Sequence, residues 1–354
     1  MLLIPNDLGF KKYVRLAVVR FMSLTFLLGS CLSKKEEHPI GNLGIPPHFP
    51  PLPASTSNLE VSPDGIELGK MLFFDPILSG DSTISCATCH IPQKAFSDAG
   101  NAVSKGINEL KGVRNAPALF NLMWKPLFFH DGGARSLEMQ AVAPIVNPVE
   151  MGNDLKKLLK KLNNHPVYKI KFKKVFNVDV IQTRELVFAL AMFERTIISA
   201  QSKYDRVVLG RDKFSDLELK GYQLFEKKCA ICHQPPLFSN FSFVNNGLDD
   251  TFPSLDYDSD NEMLGRARVT QDTKDIGKYM VPSLRNVMVT HPYMHDGRFQ
   301  TIEQVLEHYN SGIKPSKTLD PILMNGIALN DSEKEALIQF LHTLTDYELL
   351  NRKF

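Results

Sequence analysis

Apolar residues recur at helical spacing along several stretches of the chain. In Asp154-Leu-Lys-Lys-Leu-Leu-Lys-Lys-Leu162, leucines alternate with lysine pairs, the three-and-four rhythm of an amphipathic helix. Thr183 to Ala200 repeats that rhythm, opened by Thr183 with Glu185 in the first turn, and Leu217 to Lys228 does the same. Asp331-Ser-Glu-Lys-Glu-Ala-Leu-Ile-Gln-Phe-Leu341 presents a cap, an acidic first turn and then an apolar face. Period-two alternation is sparse, so the pattern predicts a mainly α chain. Residues 245–278, rich in Asp, Gly and Ser, predict a long loop, either lying over a site or running out into solvent.

The first residues follow a different pattern. Lys11, Lys12, Arg15 and Arg20 accompany the short apolar run Phe21-Met-Ser-Leu-Thr-Phe-Leu-Leu28, and Gly29-Ser30 leads into Cys31. A basic region, an apolar run too short to span a bilayer comfortably, and small residues at its end predict a secretory leader. Leu28-Gly-Ser-Cys31 has the form of a lipoprotein leader, with residues 1–31 as the signal and Cys31 lipidated. A plain secretory leader cleaved elsewhere is the other reading. Both predict a periplasmic protein; in the first, lipid alone holds it to a membrane. Residues 32–55, charged at first and then dense in proline, predict a tether.

The chain has 354 residues, 43% hydrophobic and 23% charged, enough for two globular domains. The net charge of +2 gives no argument for nucleic acid, and that class is set aside. Four of the five cysteines fall in two copies of one motif, Cys86-Ala-Thr-Cys-His90 and Cys229-Ala-Ile-Cys-His233. Thiols at this spacing can add to the vinyl groups of a haem while the adjacent histidine coordinates its iron. A structural zinc site would want a second C-x-x-C close by or a His-x-x-x-His, and neither is present. Two covalent haem c groups are predicted, one on Cys86, Cys89 and His90, the other on Cys229, Cys232 and His233.

The motifs sit in an internal repeat. Gly69-Lys-Met-Leu-Phe73 precedes the first and Gly221-Tyr-Gln-Leu-Phe225 the second. Arg114-Asn115, His130-Asp-Gly132 and Leu137-Glu138 follow the first; Arg285-Asn286, His295-Asp-Gly297 and Ile302-Glu303 follow the second. The repeat predicts two cytochrome c-like domains, 56–205 and 206–354. It also pairs Pro144 with Tyr309, each fourteen residues after its histidine. Tyrosine can ligate ferric iron and proline cannot, so the first iron is predicted open and the second six-coordinate. Met280, Met288 and Met294 are rival ligands, and an aromatic merely packed at a helix end is the plainer reading of Tyr309. Near Pro144 stand Gln140, which can orient a peroxide, and Glu150, which can take and return its proton.

Together these motifs resemble the bacterial di-haem cytochrome c peroxidases and MauG. The residues that carry the likeness include Leu72-Phe-Phe-Asp75, Arg114-Asn-Ala-Pro117, Ser136-Leu-Glu-Met-Gln140, Asn147-Pro-Val-Glu-Met151, Pro282-Ser-Leu-Arg-Asn286 and Pro292-Tyr-Met-His-Asp-Gly297. The resemblance implies peroxide chemistry at the N-terminal haem, with Gln140, Pro144 and Glu150 as distal residues, and electron transfer at the C-terminal haem. It implies a calcium ion held by the Asn115 side chain and the carbonyls of Thr290 and Pro292. Hydrogen peroxide as substrate, a small cytochrome c or copper protein as donor, and a homodimer are further implications. There are departures. No histidine lies between His90 and His130, so the loop 103–110 lacks the cap that many family peroxidases carry. His130 stands where the family places an inter-haem tryptophan, so the relay falls to His130 or to Trp124. Tyr309 is the MauG-like arrangement, which opens a second reading as an oxidase of a partner protein. A non-enzymatic electron-transfer cytochrome is a third.

Overall fold

The computed structural model describes residues 43–57, 61–256 and 261–354; the predicted leader and Cys31 lie outside them. In chain order the main helices are α1 (Pro63–Phe74), α2 (Leu137–Val146), α3 (Leu155–Asn164), α4 (Pro166–Phe176), α5 (Thr183–Glu194), α6 (Lys203–Val208), α7 (Asp216–Lys228), α8 (Ile302–Glu307), α9 (Asp331–His342) and α10 (Tyr347–Asn351). Among the described residues, paired strand is confined to β1 (Phe243–Val244), antiparallel to β2 (Tyr279–Met280). The mainly α expectation holds.

The helices start where the sequence supplies a cap. Asp154 caps α3 by accepting from Lys157 N, and Asn330 and Glu333 trade bonds at the start of α9. Gln182 and Glu185 do so for α5. That helix ends at Glu194 rather than Ala200 because Asn121 takes over the following backbone groups. Asn121 N donates to Ile197 O, and Ser199 N donates to Asn121 Oδ1.

Two helix crossings frame the molecule, α1 on α5 and α7 on α9. A glycine is the contact point in each. A Cβ on Gly69 would lie 1.9 Å from Ala189 O, and one on Gly221 would lie 1.9 Å from Ala336 O. Only glycine lets these backbones approach so closely. The opposing helices share Ala-Leu-x-x-Phe, as Ala189–Phe193 and Ala336–Phe340.

The expected match of Arg114-Asn115 with Arg285-Asn286 is corrected by the structure. Asn121 is the residue equivalent to Asn286. Both adopt left-handed backbone, φ 55° and 58°, and both open a single 3-10 turn. Each lies nine residues before its His-Asp-Gly. Asn121 Oδ1 accepts from Ser199 N and Asn286 Oδ1 from Asp346 N, and both amides donate to Ser199. Arg114 instead pairs with Asp131 and Glu262.

Both ends of the described chain depart from the expected boundaries. The predicted tether is packed from Leu43 onward: Leu43, Ile45, Phe49 and Leu52 join Met123, Trp124, Ala200 and Leu237 in one apolar cluster. His48 Nε2 lies 2.7 Å from Asp205 Oδ1, and Asp205 holds the Arg285 guanidinium through two bonds of 2.7 and 2.8 Å. The Arg285 and Asp205 side chains are completely buried. Proline presets an extended path here, and the apolar residues between the prolines supply the packing, so proline density alone misread the segment. At the other end, Leu349 and Leu350 enter the core of the first half, and the Phe354 ring stands edge-on to Phe96 at 4.9 Å. The last eight residues thus pack with the first domain rather than the second.

Candidate functional site

Cys86–Cys89 forms one helical turn, its start closed by bonds exchanged between Ser85 and Thr88. His90 Nδ1 lies 3.0 Å from Phe96 O. A carbonyl only accepts, so Nδ1 carries the proton and Nε2 keeps its lone pair for a metal. In the second half, Cys229 follows α7, and His233 Nδ1 meets Phe238 O at 3.2 Å and Pro282 O at 3.1 Å. Phe96 and Phe238 are both fully buried in left-handed backbone, φ 56° and 55°. Burial keeps both imidazoles neutral, pushing His233 down to about 4. It also raises the Cys86 thiol and pushes Cys229 up to about 12. Reactive redox thiols need the opposite shift.

The second motif opens on a cavity of ≈ 360 Å³ lined by Cys229, Cys232, His233, Val244, Met280, Met294, Leu306, Tyr309 and Leu341 among others. Tyr309 lies in a π turn, His308–Gly312, directly after α8. Asn246 Nδ2 donates to its hydroxyl at 3.2 Å and approaches Met294 Sδ at 3.5 Å. Burial raises the Tyr309 phenol, so bare protein holds it as a neutral donor. Met280 and Met294 share the cavity wall with Tyr309, whereas Met288 packs into the core beside Val287 and Phe340. His308 turns away, its Nε2 at 3.0 Å from Asn246 O. The segment 245–278 therefore reaches the site through Asn246 and Leu248.

Around the first motif, Ser136 caps α2 just as Thr301 caps α8. Gln140 and Pro144 stand one turn apart on α2, hence on one face. Glu150 follows the helix. Solvent reaches its side chain, yet surrounding protein raises its carboxyl above the ordinary range, with Asn147 Nδ2 donating to Oε1 at 2.8 Å. Its charge is near enough to help raise Cys89. The loop 103–110 lies on the same spot, Ile107 N donating to Glu150 O at 2.8 Å.

These donors fit covalently held haem: paired thiols in a turn, a neutral imidazole with Nε2 free and, at the second site, a largely apolar wall. Comparison with known proteins agrees. The family model for di-haem cytochrome c peroxidase matches residues 63–213. The chain is 36% identical to cytochrome c551 peroxidase of Nitrosomonas europaea over 284 residues, 80% of each chain. The chain belongs to the di-haem cytochrome c peroxidase and MauG family. It is also 34% identical to the methylamine utilization protein MauG of Paracoccus denitrificans, covering 79% of this chain and 88% of that one. A crystal structure of a MauG-like protein associated with microbial copper homeostasis aligns with a TM-score of 0.77 at 30% identity, over 86% of this chain and 96% of that one.

Within this family framework the remaining candidates divide. Asn115, Thr290 and Pro292 all line the second cavity. Asn115 Nδ2 donates to Asn101 O and Ala102 O. A neutral, all-oxygen set of this kind suits calcium. His130 lines the same cavity, its Nε2 at 2.9 Å from Asn115 O while Met280 N donates to its carbonyl; burial pushes its imidazole down to about 3. Trp124 is elsewhere, packed beneath the N-terminal strap formed by residues 43–52, with Nε1 donating to Pro50 O at 2.9 Å. Sequence reasoning missed Asn246, which lies 63 residues before Tyr309 with no motif around it. It also missed the Phe96 and Phe238 carbonyls, for which a phenylalanine five or six residues after each motif was the available signal.

Proposed function

We propose that the chain carries two covalent haems on duplicated domains and reduces hydrogen peroxide to water with electrons from a small periplasmic donor, a cytochrome c or a copper protein. The observation that carries this reading is the contrast between two alike histidine settings: a proline occupies the place after the first that a cavity-lining tyrosine occupies after the second. A bound haem supplies the redox chemistry. Pro144 offers the first iron no ligand. Gln140 donates to the distal oxygen of a peroxide, and Glu150 accepts a proton at its carboxylate and returns it to the departing oxygen. The raised carboxyl of Glu150 suits that exchange, because acid and base forms are closer in energy near neutral pH. Tyr309, on the wall of the same cavity as His233, would hold the other iron through its oxygen once its phenolic proton is given up. Asn246 steadies the oxygen. His130, on the cavity wall, is the better relay, and Asn115, Thr290 and Pro292 would hold a calcium ion. Cys31 provides the lipid anchor.

Tyr309 and the loop without histidine also favour a second reading, a MauG-like oxidase of a partner protein. The test begins with fully oxidised protein and one equivalent of peroxide. A prompt Soret change supports an iron open without prior reduction; no change refutes it. Turnover with a reduced cytochrome then separates the two enzymes, since a maturation oxidase turns over poorly with such a donor.

A further inference from the structure

Residues 154–180 contain eight lysines, no arginine and two aspartates. That is a net of +6 in a chain whose total is +2, so the remaining residues sum to −4. The structure gathers this charge on the outer surface of α3 and α4. Leu158 and Leu162 turn inward from α3, and Tyr168 and Phe172 from α4. Lys156, Lys157, Lys160, Lys161, Lys169, Lys173 and Lys174 are exposed. Lys173 and Lys174 pair with Asp179 and Asp64. Lys156, Lys157, Lys160, Lys169 and Lys171 make no ion pair among the described residues. Among the lysines lie bare aliphatic side chains: Ile170 is 70% exposed, Val167 43% and Val180 61%.

We propose that the outer face of α3 and α4 docks on an anionic lipid bilayer. The composition favours lipid over the alternatives. Lysine is a compact, strongly hydrated point charge suited to diffuse attraction, whereas recognition of individual carboxylates or phosphates favours the arginine fork. Of the α4 rings, Tyr168 and Phe172 are buried and Phe176 packs against the same core, which leaves no exposed stacking platform for bases. Exposed aliphatic residues within a lysine field are what an interfacial helix presents to the headgroup boundary. No helix among the described residues is long and apolar enough to cross a membrane, so the contact is peripheral. It holds whether or not Cys31 is lipidated and whichever substrate the haem sites take.

The test is lysine footprinting on the full-length holoprotein. Protein is mixed with vesicles of phosphatidylcholine alone or containing a third phosphatidylglycerol, and its amines are acetylated. Labelling of Lys156, Lys160 and Lys169 should slow at least about threefold on the anionic vesicles only. Lys220, Lys274 and Lys317 should be unaffected, and high salt should abolish the protection. The variant K160E/K169E/K171E, checked for intact haem absorption, should leave Lys156 and Lys157 unprotected. Equal labelling on both vesicles overturns the proposal, as does protection that survives the triple variant. Protection by an acidic soluble redox protein but not by vesicles also overturns it, replacing the bilayer with a protein partner.

Discussion

The helix after His130 carries Pro144, and the turn after His295 carries Tyr309. Behind these two residues the halves agree closely. The same glycine crossing brings two helices together, the same left-handed phenylalanine offers its carbonyl to the histidine, and the same asparagine ties the following 3-10 turn to the end of a helix. Around the two histidines the surroundings differ, with Glu150 under the loop 103–110 near the first motif and Asn246 with Tyr309 on the cavity wall of the second. The setting of the motif histidine is thus repeated, and the residue fourteen positions after the His-Asp-Gly histidine is not.

The largest way to break this comparison is Glu150→Gln. It should lower kcat/KM for peroxide by about two to four orders of magnitude and leave the second site's spectrum unchanged. In the parent protein the base form is lost as pH falls through a raised carboxyl pKa, so the rate should decline on an acid limb lying above the ordinary 4.5. The variant should lack that limb. Unchanged turnover would remove Glu150 from the chemistry.

Gly69→Ala and Gly221→Ala probe what the halves share. Each forces a methyl group into a backbone carbonyl at 1.9 Å and should cost about 3 kcal/mol or more by thermal melting. A large loss from one and none from the other would disprove the equivalence of the crossings. Asn121→Ala and Asn286→Ala form a milder pair. Each removes buried amide bonds, and a cost of about 2 kcal/mol is expected in denaturant unfolding. If Asn115→Ala cost as much as Asn286→Ala, the corrected match would be in doubt. The smallest effect is expected from His48→Ala. It removes one bond to Asp205 but leaves the Arg285 pair intact, so a loss of about 1 kcal/mol should be read in the same assay.

Much of this was legible in the sequence because it rests on local spacing. The two C-x-x-C-H motifs, the helix caps and the fourteen-residue step to Pro144 and Tyr309 are all short-range patterns. The repeat was visible, but one of its matches was misread, since an Arg-Asn pair occurs six residues before the asparagine that matters. What bonds an asparagine makes depends on a partner 78 residues away, and spacing does not reveal that. The strap was misjudged because proline density signals an extended path without saying whether that path is covered. Asn246, the strap's His48 and the returning Phe354 act only through contacts with distant segments, and no local pattern announces them.

That return has a consequence for the order of synthesis. Phe96 gives its carbonyl to His90, and the ring of Phe96 rests against Phe354. The wall behind that histidine is therefore completed by residues that follow the whole second half. A frameshift late in the gene would strike the site encoded near its start, leaving the second motif's immediate surroundings comparatively intact.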